Sequence, residues 1–236
     1  MPDYVIAPPP IPSLPLASSD ERFPVRRIFC VGRNYAAHAR EMGADPDRES
    51  PMIFTKPADA IVAAVGTLPY PTLTADLHHE VEMVVALKQG GVNIDPASAA
   101  ELIWGYGVGL DLTRRDLQAH AKENRHPWDM AKGFDSSAAC TALRSLTETG
   151  QLKSGRIWLE TNGEMRQESD LSDMIWSTSE IIAHISRAVA LAPGDLIYTG
   201  TPSGVGPLAP GDRVRGGVDG LAEFELTVGP QRKSDG

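Results

Sequence analysis

Three carboxylates stand in this chain where folding tolerates bare charge least. The stretch His79-Glu-Val-Glu82 runs on into Met83-Val-Val-Ala-Leu87, an apolar segment of strand character. Residues i and i+2 of a strand share a face, so Glu80 and Glu82 project side by side. A second stretch, Gly105-Tyr-Gly-Val-Gly-Leu-Asp111, sets three glycines and Asp111 on one face. A face without side chains leaves room for a neighbouring backbone or a ligand. Carboxylates buried in such strands are costly unless protonated, paired or bound to metal. Together the three can hold a divalent cation, and all-oxygen ligation favours Mg²⁺, Mn²⁺ or Ca²⁺ over zinc. The pattern alone also fits carboxylates on exposed edge strands with no ion.

Composition narrows the partners. The 236 residues carry a formal charge of −9. That balance argues against nucleic acid and anionic membrane surfaces, which attract basic proteins. No run approaches the ~18 apolar residues that span a bilayer. The N-terminus lacks a basic segment followed by an apolar one, so no signal peptide is expected and the cytoplasm is the expected compartment. Cys30 and Cys140 sit in apolar contexts and read as buried free thiols.

Short strands dominate the organisation. Residues 1–22 are proline-rich and read as an extended arm, residues 23–230 as one catalytic domain, and 231–236 as a tail. Arg27–Gly32, Met52–Lys56 and Ile61–Val65 are expected strands. Asn34 is a plausible N-cap for a helix over 34–42 that Gly43 stops, followed by a polar loop over 45–51. Asp95-Pro96 opens a helix, and a further helix follows Asp111 over 114–122. Asn162-Gly163 joins two short strands, a strong hairpin signal. Apolar residues at 181, 182, 185, 188 and 189 mark an amphipathic helix. One α+β domain fits best.

Other candidates admit two readings each. His38 and Glu41 stand three apart on a helix, so their side chains meet. A carboxylate beside an imidazole makes a general base; taken alone, the pair reads better as a surface contact. Lys132, in Met130-Ala-Lys-Gly-Phe-Asp135, is either an ordinary surface lysine or a buried one that complements an enolate. His78 and His79 face opposite ways and do not form a metal pair, and His184 reads as structural. Gly200-Thr-Pro-Ser-Gly-Val-Gly206 lacks the context of a nucleotide loop; a turn that offers backbone N–H groups and the Thr201 hydroxyl to a small carboxylate is more plausible.

The motifs assemble into a resemblance. Cys30-Val-Gly-Arg-Asn-Tyr-Ala-Ala-His38, Phe54-Thr-Lys-Pro57, His78-His-Glu-Val-Glu82, Gly109-Leu-Asp-Leu-Thr-Arg-Arg-Asp-Leu-Gln118, Lys132-Gly-Phe-Asp135, Asn162-Gly-Glu-Met-Arg-Gln167 and Tyr198-Thr-Gly-Thr-Pro-Ser-Gly-Val-Gly206 resemble, in order, the fumarylacetoacetate hydrolase family. The likeness is to its small single-domain members, the acylpyruvases and fumarylpyruvate hydrolases. It implies a mixed β-sandwich roll with short flanking helices, usually a homodimer. It implies Glu80, Glu82 and Asp111 as metal ligands, Mg²⁺ first among the ions. It assigns His38 and Glu41 to a catalytic pair on a segment that orders over ligand, and Lys132 to the active site. Arg115 and Gln118 are assigned to the site lining and Thr201 to a substrate carboxylate. Arg33, Arg115 or another cation is expected to hold a distal carboxylate. The activity implied is hydrolysis of a carbon–carbon bond in a 2,4-diketo acid, with fumarylpyruvate, a product of gentisate breakdown, as the leading substrate. Oxaloacetate decarboxylation or a dienoate isomerisation on the same residues is the alternative; a non-catalytic scaffold would not need the whole set.

Overall fold

The computed structural model describes residues 4–41 and 50–231. The expected helix stop at Gly43, most of the polar loop over 45–51 and the tail after Gln231 therefore lie outside the described residues.

Among the described residues an eight-stranded sheet forms the centre, in the order Met52–Lys56, Arg27–Gly32, Asp195–Tyr198, Val81–Leu87, Ile103–Asp111, Ala138–Cys140 and Ile61–Ala63, with Arg144–Ser145 alongside Ile103–Asp111. It is mixed: Asp195–Tyr198 runs parallel to Arg27–Gly32, whereas Val81–Leu87 and Ile103–Asp111 are antiparallel. Every residue of Val81–Leu87 is buried, because both faces of the sheet are covered. Val81, Met83, Val85 and Leu87 pack with Val108 and Leu110 into a core that includes Leu159, Val214 and Leu226. Those last three come from a five-stranded sheet of Glu164–Asp170, Arg156–Thr161, Arg213–Val218, Ala222–Gln231 and Val65–Tyr70. Val84 and Ala86 face the other way, towards Cys30, Ala138, Cys140, Tyr198 and Leu14 of the N-terminal strand Ser13–Pro15. Burial on both faces replaces alternation by a continuous apolar run. The architecture is an α+β mixed β-sandwich roll with short flanking helices.

The glycine face of Ile103–Asp111 serves close packing. A Cβ on Gly109 would stand 2.6 Å from Tyr198 Cε1 and 2.8 Å from Ala139 O. Space without a side chain is occupied by the neighbouring strand.

Three expectations change in detail. Glu80 does not lie within a continuous strand: it falls in the break between Leu77–His79 and Val81–Leu87. Leu77–His79 belongs to a separate three-stranded sheet with Thr113–Arg114 and Gly206–Leu208. Both chains that carry the carboxylates thus leave one sheet for another side by side, bridged where the Asp111 N–H donates to Glu80 O at 2.9 Å. Asn34 is not an N-cap. Its amide is buried, donating to Thr199 O (2.7 Å) and Trp176 O (3.0 Å) and accepting from Trp176 N (2.8 Å), and the helix begins at Ala36. Long-range partners outbid the local one because they satisfy two buried carbonyls. The expected strand over 61–65 splits at Ala64 into Ile61–Ala63 and Val65–Tyr70 in different sheets.

Other local signals hold. Asp95 caps Pro96–Ala99 through Ala97 N. Ser177 and Glu180 form a capping box on Thr178–Ala188. Asn162 and Gly163 both take positive φ, 56° and 82°, in the hairpin turn. Cys30 and Cys140 are free and buried. Among the described residues no helix is long and apolar enough to cross a membrane.

Candidate metal and catalytic site

The corner between the two sheets gathers Glu80, Glu82 and Asp111, all buried, with one carboxylate oxygen of each within 4.8 Å of the others. Lys132 Nζ bridges Glu80 Oε2 and Asp111 Oδ2, at 2.9 Å each. Arg115 Nη2 donates to Glu80 Oε1 at 2.6 Å, and the Gly200 N–H donates to Glu82 Oε2 at 2.7 Å. Burial pushes the Glu80 carboxyl up, but Lys132 and Arg115 outweigh it and hold the group well below the usual carboxylate range. Burial, then Asp111 and Glu80 beside it, drives Glu82 the opposite way, well above that range. Burial presses Lys132 down, and Asp111 and Glu80 more than reverse this, so it stays an ammonium.

The donor set fits a hard divalent cation. It is all oxygen, three buried carboxylates with one oxygen of each within 4.8 Å of the others, the ligand chemistry a hard divalent ion takes.

His38 is 5% exposed on the helix Ala36–Glu41, and its Nδ1 lies 3.1 Å from Glu41 Oε2. Glu41 also accepts the Gly204 N–H at 3.1 Å, tying this helix to the loop after Tyr198. His38, Arg33, Glu80, Arg115, Gln118 and Lys132 line one cavity of about 30 Å³. A larger cavity, about 290 Å³, lies around Ile103, Tyr106 and Met174, and its lining carries no carboxylate or imidazole, so the chemistry belongs to the smaller one. Thr201 is not in that lining; it is 2% exposed and its hydroxyl accepts from Gln167 Nε2 at 2.7 Å.

Several residues assigned no role from sequence join the site. Lys56 is 2% exposed; beside Asp111 it donates to Leu112 O at 3.0 Å and to Lys132 O, so two buried lysines serve one carboxylate. Gln167 reaches from the hairpin strand to accept from His79 Nδ1 (2.9 Å) and Val81 N (3.1 Å) while donating to Thr201 and Pro202 O (2.8 Å). Burial pushes His79 down to about 4, so it is neutral and structural. Lys122 and Trp128 line the cavity as well. Lys56 and Gln167 lay inside motifs already singled out; a lysine closing the apolar run Met52-Ile-Phe-Thr-Lys56 was the available signal.

Comparison with known proteins agrees with this geometry. Residues 27–229 match the model described as fumarylacetoacetate (FAA) hydrolase C-terminal. A fumarylpyruvate hydrolase of Ralstonia sp. is 42% identical over 191 residues, 80% of this chain and 99% of that one. A mitochondrial oxaloacetate tautomerase of Mus musculus is 40% identical over 203 residues, 86% of this chain and 91% of that one. The crystal structure of fumarylpyruvate hydrolase from Pseudomonas aeruginosa, in complex with Mn²⁺ and pyruvate, superposes with a TM-score of 0.95 at 46% identity, covering 97% of this chain and 100% of that one. With motif order, fold and carboxylate corner in agreement, the chain belongs to the fumarylacetoacetate hydrolase family.

Proposed function

We propose that this chain hydrolyses the C3–C4 bond of a 2,4-diketo acid, fumarylpyruvate giving fumarate and pyruvate, with Mg²⁺ held by Glu80, Glu82 and Asp111. The observation that carries the reading is that His38, paired with Glu41, lines one cavity with Glu80 of the carboxylate cluster and with Lys132, which bridges Glu80 to Asp111. The Mn²⁺ and pyruvate in the Pseudomonas aeruginosa relative support the metal and the product.

A bound divalent cation supplies Lewis acidity for the 2-oxo acid end of the substrate. The protein residues do the rest. His38, held by Glu41, takes a proton from water, which adds to the C4 carbonyl. The C3–C4 bond breaks, and its electron pair leaves as the enolate of pyruvate. Lys132 faces that negative charge, and protonation at C3 completes pyruvate. The acyl fragment departs as a carboxylate, and one proton is released overall.

Glu80 is paired with Arg115 and Lys132, Asp111 with Lys56 and Lys132, and Glu82 accepts the Gly200 N–H.

The tautomerase relative motivates a second reading, interconversion of keto and enol oxaloacetate on the same residues. Fumarylpyruvate, acetylpyruvate and oxaloacetate are to be supplied with Mg²⁺ and again with EDTA. Metal-dependent formation of pyruvate and fumarate from fumarylpyruvate is expected. Tautomerisation or decarboxylation of oxaloacetate with no cleavage of either acylpyruvate would overturn the hydrolase reading.

A further inference from the structure

Fumarylpyruvate carries two carboxylates, and the carboxylate corner deals only with the 2-oxo acid end. The other must be desolvated in the cavity and needs a cation. Arg115, one of the candidates the sequence names, is already committed: Nη2 to Glu80 (2.6 Å), Nη1 to Gln118 Oε1 (2.5 Å) and Nε to His78 Nδ1 (3.3 Å).

The helix Arg115–Asn124 offers another. Arg115, Gln118 and Lys122 recur at i, i+3 and i+7, one face of a helix, and all three line the cavity. Lys122 lies two turns beyond Arg115, about 10 Å along the axis. The carboxyl carbons of fumarylpyruvate are six bonds apart, which an extended chain covers in about 7 Å; the flexible lysine stem takes up the difference.

Lys122 is half-buried, with Nζ 5.3 Å from the centre of the Trp128 ring, a contact that orients the ammonium. No carboxylate among the described residues forms an ion pair with Lys122 or with Arg33, which also lines the cavity. Burial, then Arg115 and Arg33 nearby, press the Lys122 ammonium below the ordinary lysine range. Lys122 and Arg33, two cations on the cavity wall that no described carboxylate pairs, favour an anionic guest.

We infer that Lys122, seated on Trp128 and flanked by Arg33, is the specificity-determining residue for acyl groups that end in a carboxylate. The inference rests on the hydrolase reading and gives its substrate class: acylpyruvates with a second, distal carboxylate. Lys122 acts on both ground and transition states, so its loss falls mainly on KM.

The test compares fumarylpyruvate with acetylpyruvate, whose acyl group is uncharged, for wild type, Lys122→Met and Lys122→Arg. Methionine retains an apolar stem against Trp128, and melting temperature and Mn²⁺ affinity report folding. The ratio of kcat/KM for fumarylpyruvate over acetylpyruvate should fall roughly 30-fold in Lys122→Met, through KM, and recover in Lys122→Arg. A Lys122→Met ratio equal to wild type, or equal losses on both substrates, would remove the inference and leave the hydrolase reading standing. Cleavage of neither substrate by wild type would remove both.

Discussion

His38 and Glu41 illustrate how a residue's neighbours decide its meaning. The i, i+3 spacing is common on helices, and only the buried imidazole, the 3.1 Å contact and the cavity His38 lines with Glu80 and Lys132 support the base role proposed for it. His38→Ala should reduce hydrolysis by roughly 10²- to 10⁴-fold and leave Mn²⁺ affinity, measured by titration calorimetry, intact. Loss of metal binding in that variant would sink the role given to His38. Lys56 makes the converse point. It touches Asp111, Leu112 O and Lys132 O, all inside the protein, so Lys56→Met strips a buried carboxylate of a partner. Such a loss costs about 3–5 kcal/mol; urea unfolding in EDTA should record it, and Mn²⁺ should recover part. The thiols of Cys30 and Cys140, pushed up by burial, should resist alkylation at pH 8 until the protein is unfolded.

At the scale of elements, the strand Ile103–Asp111 carries both packing and chemistry. Its glycines admit neighbours that a Cβ would strike, and Gly109→Ala places a methyl 2.6 Å from Tyr198 Cε1. Overpacking of this kind costs about 1–3 kcal/mol, read as a lower denaturant midpoint; no change would mean the sheet relaxes there at little cost. Strand, hairpin and cap were legible because their causes are local. Asn162-Gly163 needs only its own positive φ angles, and Asp95 caps its helix through Ala97 two residues on. Asn34 failed as a cap for the opposite reason: its partners, Trp176 and Thr199, are more than a hundred residues away in sequence. The break at Glu80 escaped notice because a strand that turns a corner between sheets keeps its apolar pattern.

At the scale of the molecule, the cation site lies where two sheets meet, so its occupancy is linked to global folding. A ligand that binds only the folded state stabilises it by about 2.7 kcal/mol at a hundred times its Kd. Mn²⁺ should therefore raise the melting temperature of the wild type by several degrees, and Glu82→Gln should lose most of that rise. An equal rise in Glu82→Gln would place the ion elsewhere.

The sequence by itself determined the three carboxylates, the His–Glu spacing, the hairpin and the helix start at Asp95, because periodicity and turn chemistry act within a few residues. Only the tertiary structure decided that Lys56, Lys132 and Arg115 pair with Glu80 and Asp111, that Gln167 ties a distant hairpin to the corner, and that Lys122 and Arg33 line one cavity. Those contacts depend on which strands become neighbours and where the chain leaves one sheet for another. Burial then raises the energetic stake of each charge, and the spacing along the chain carries no record of it.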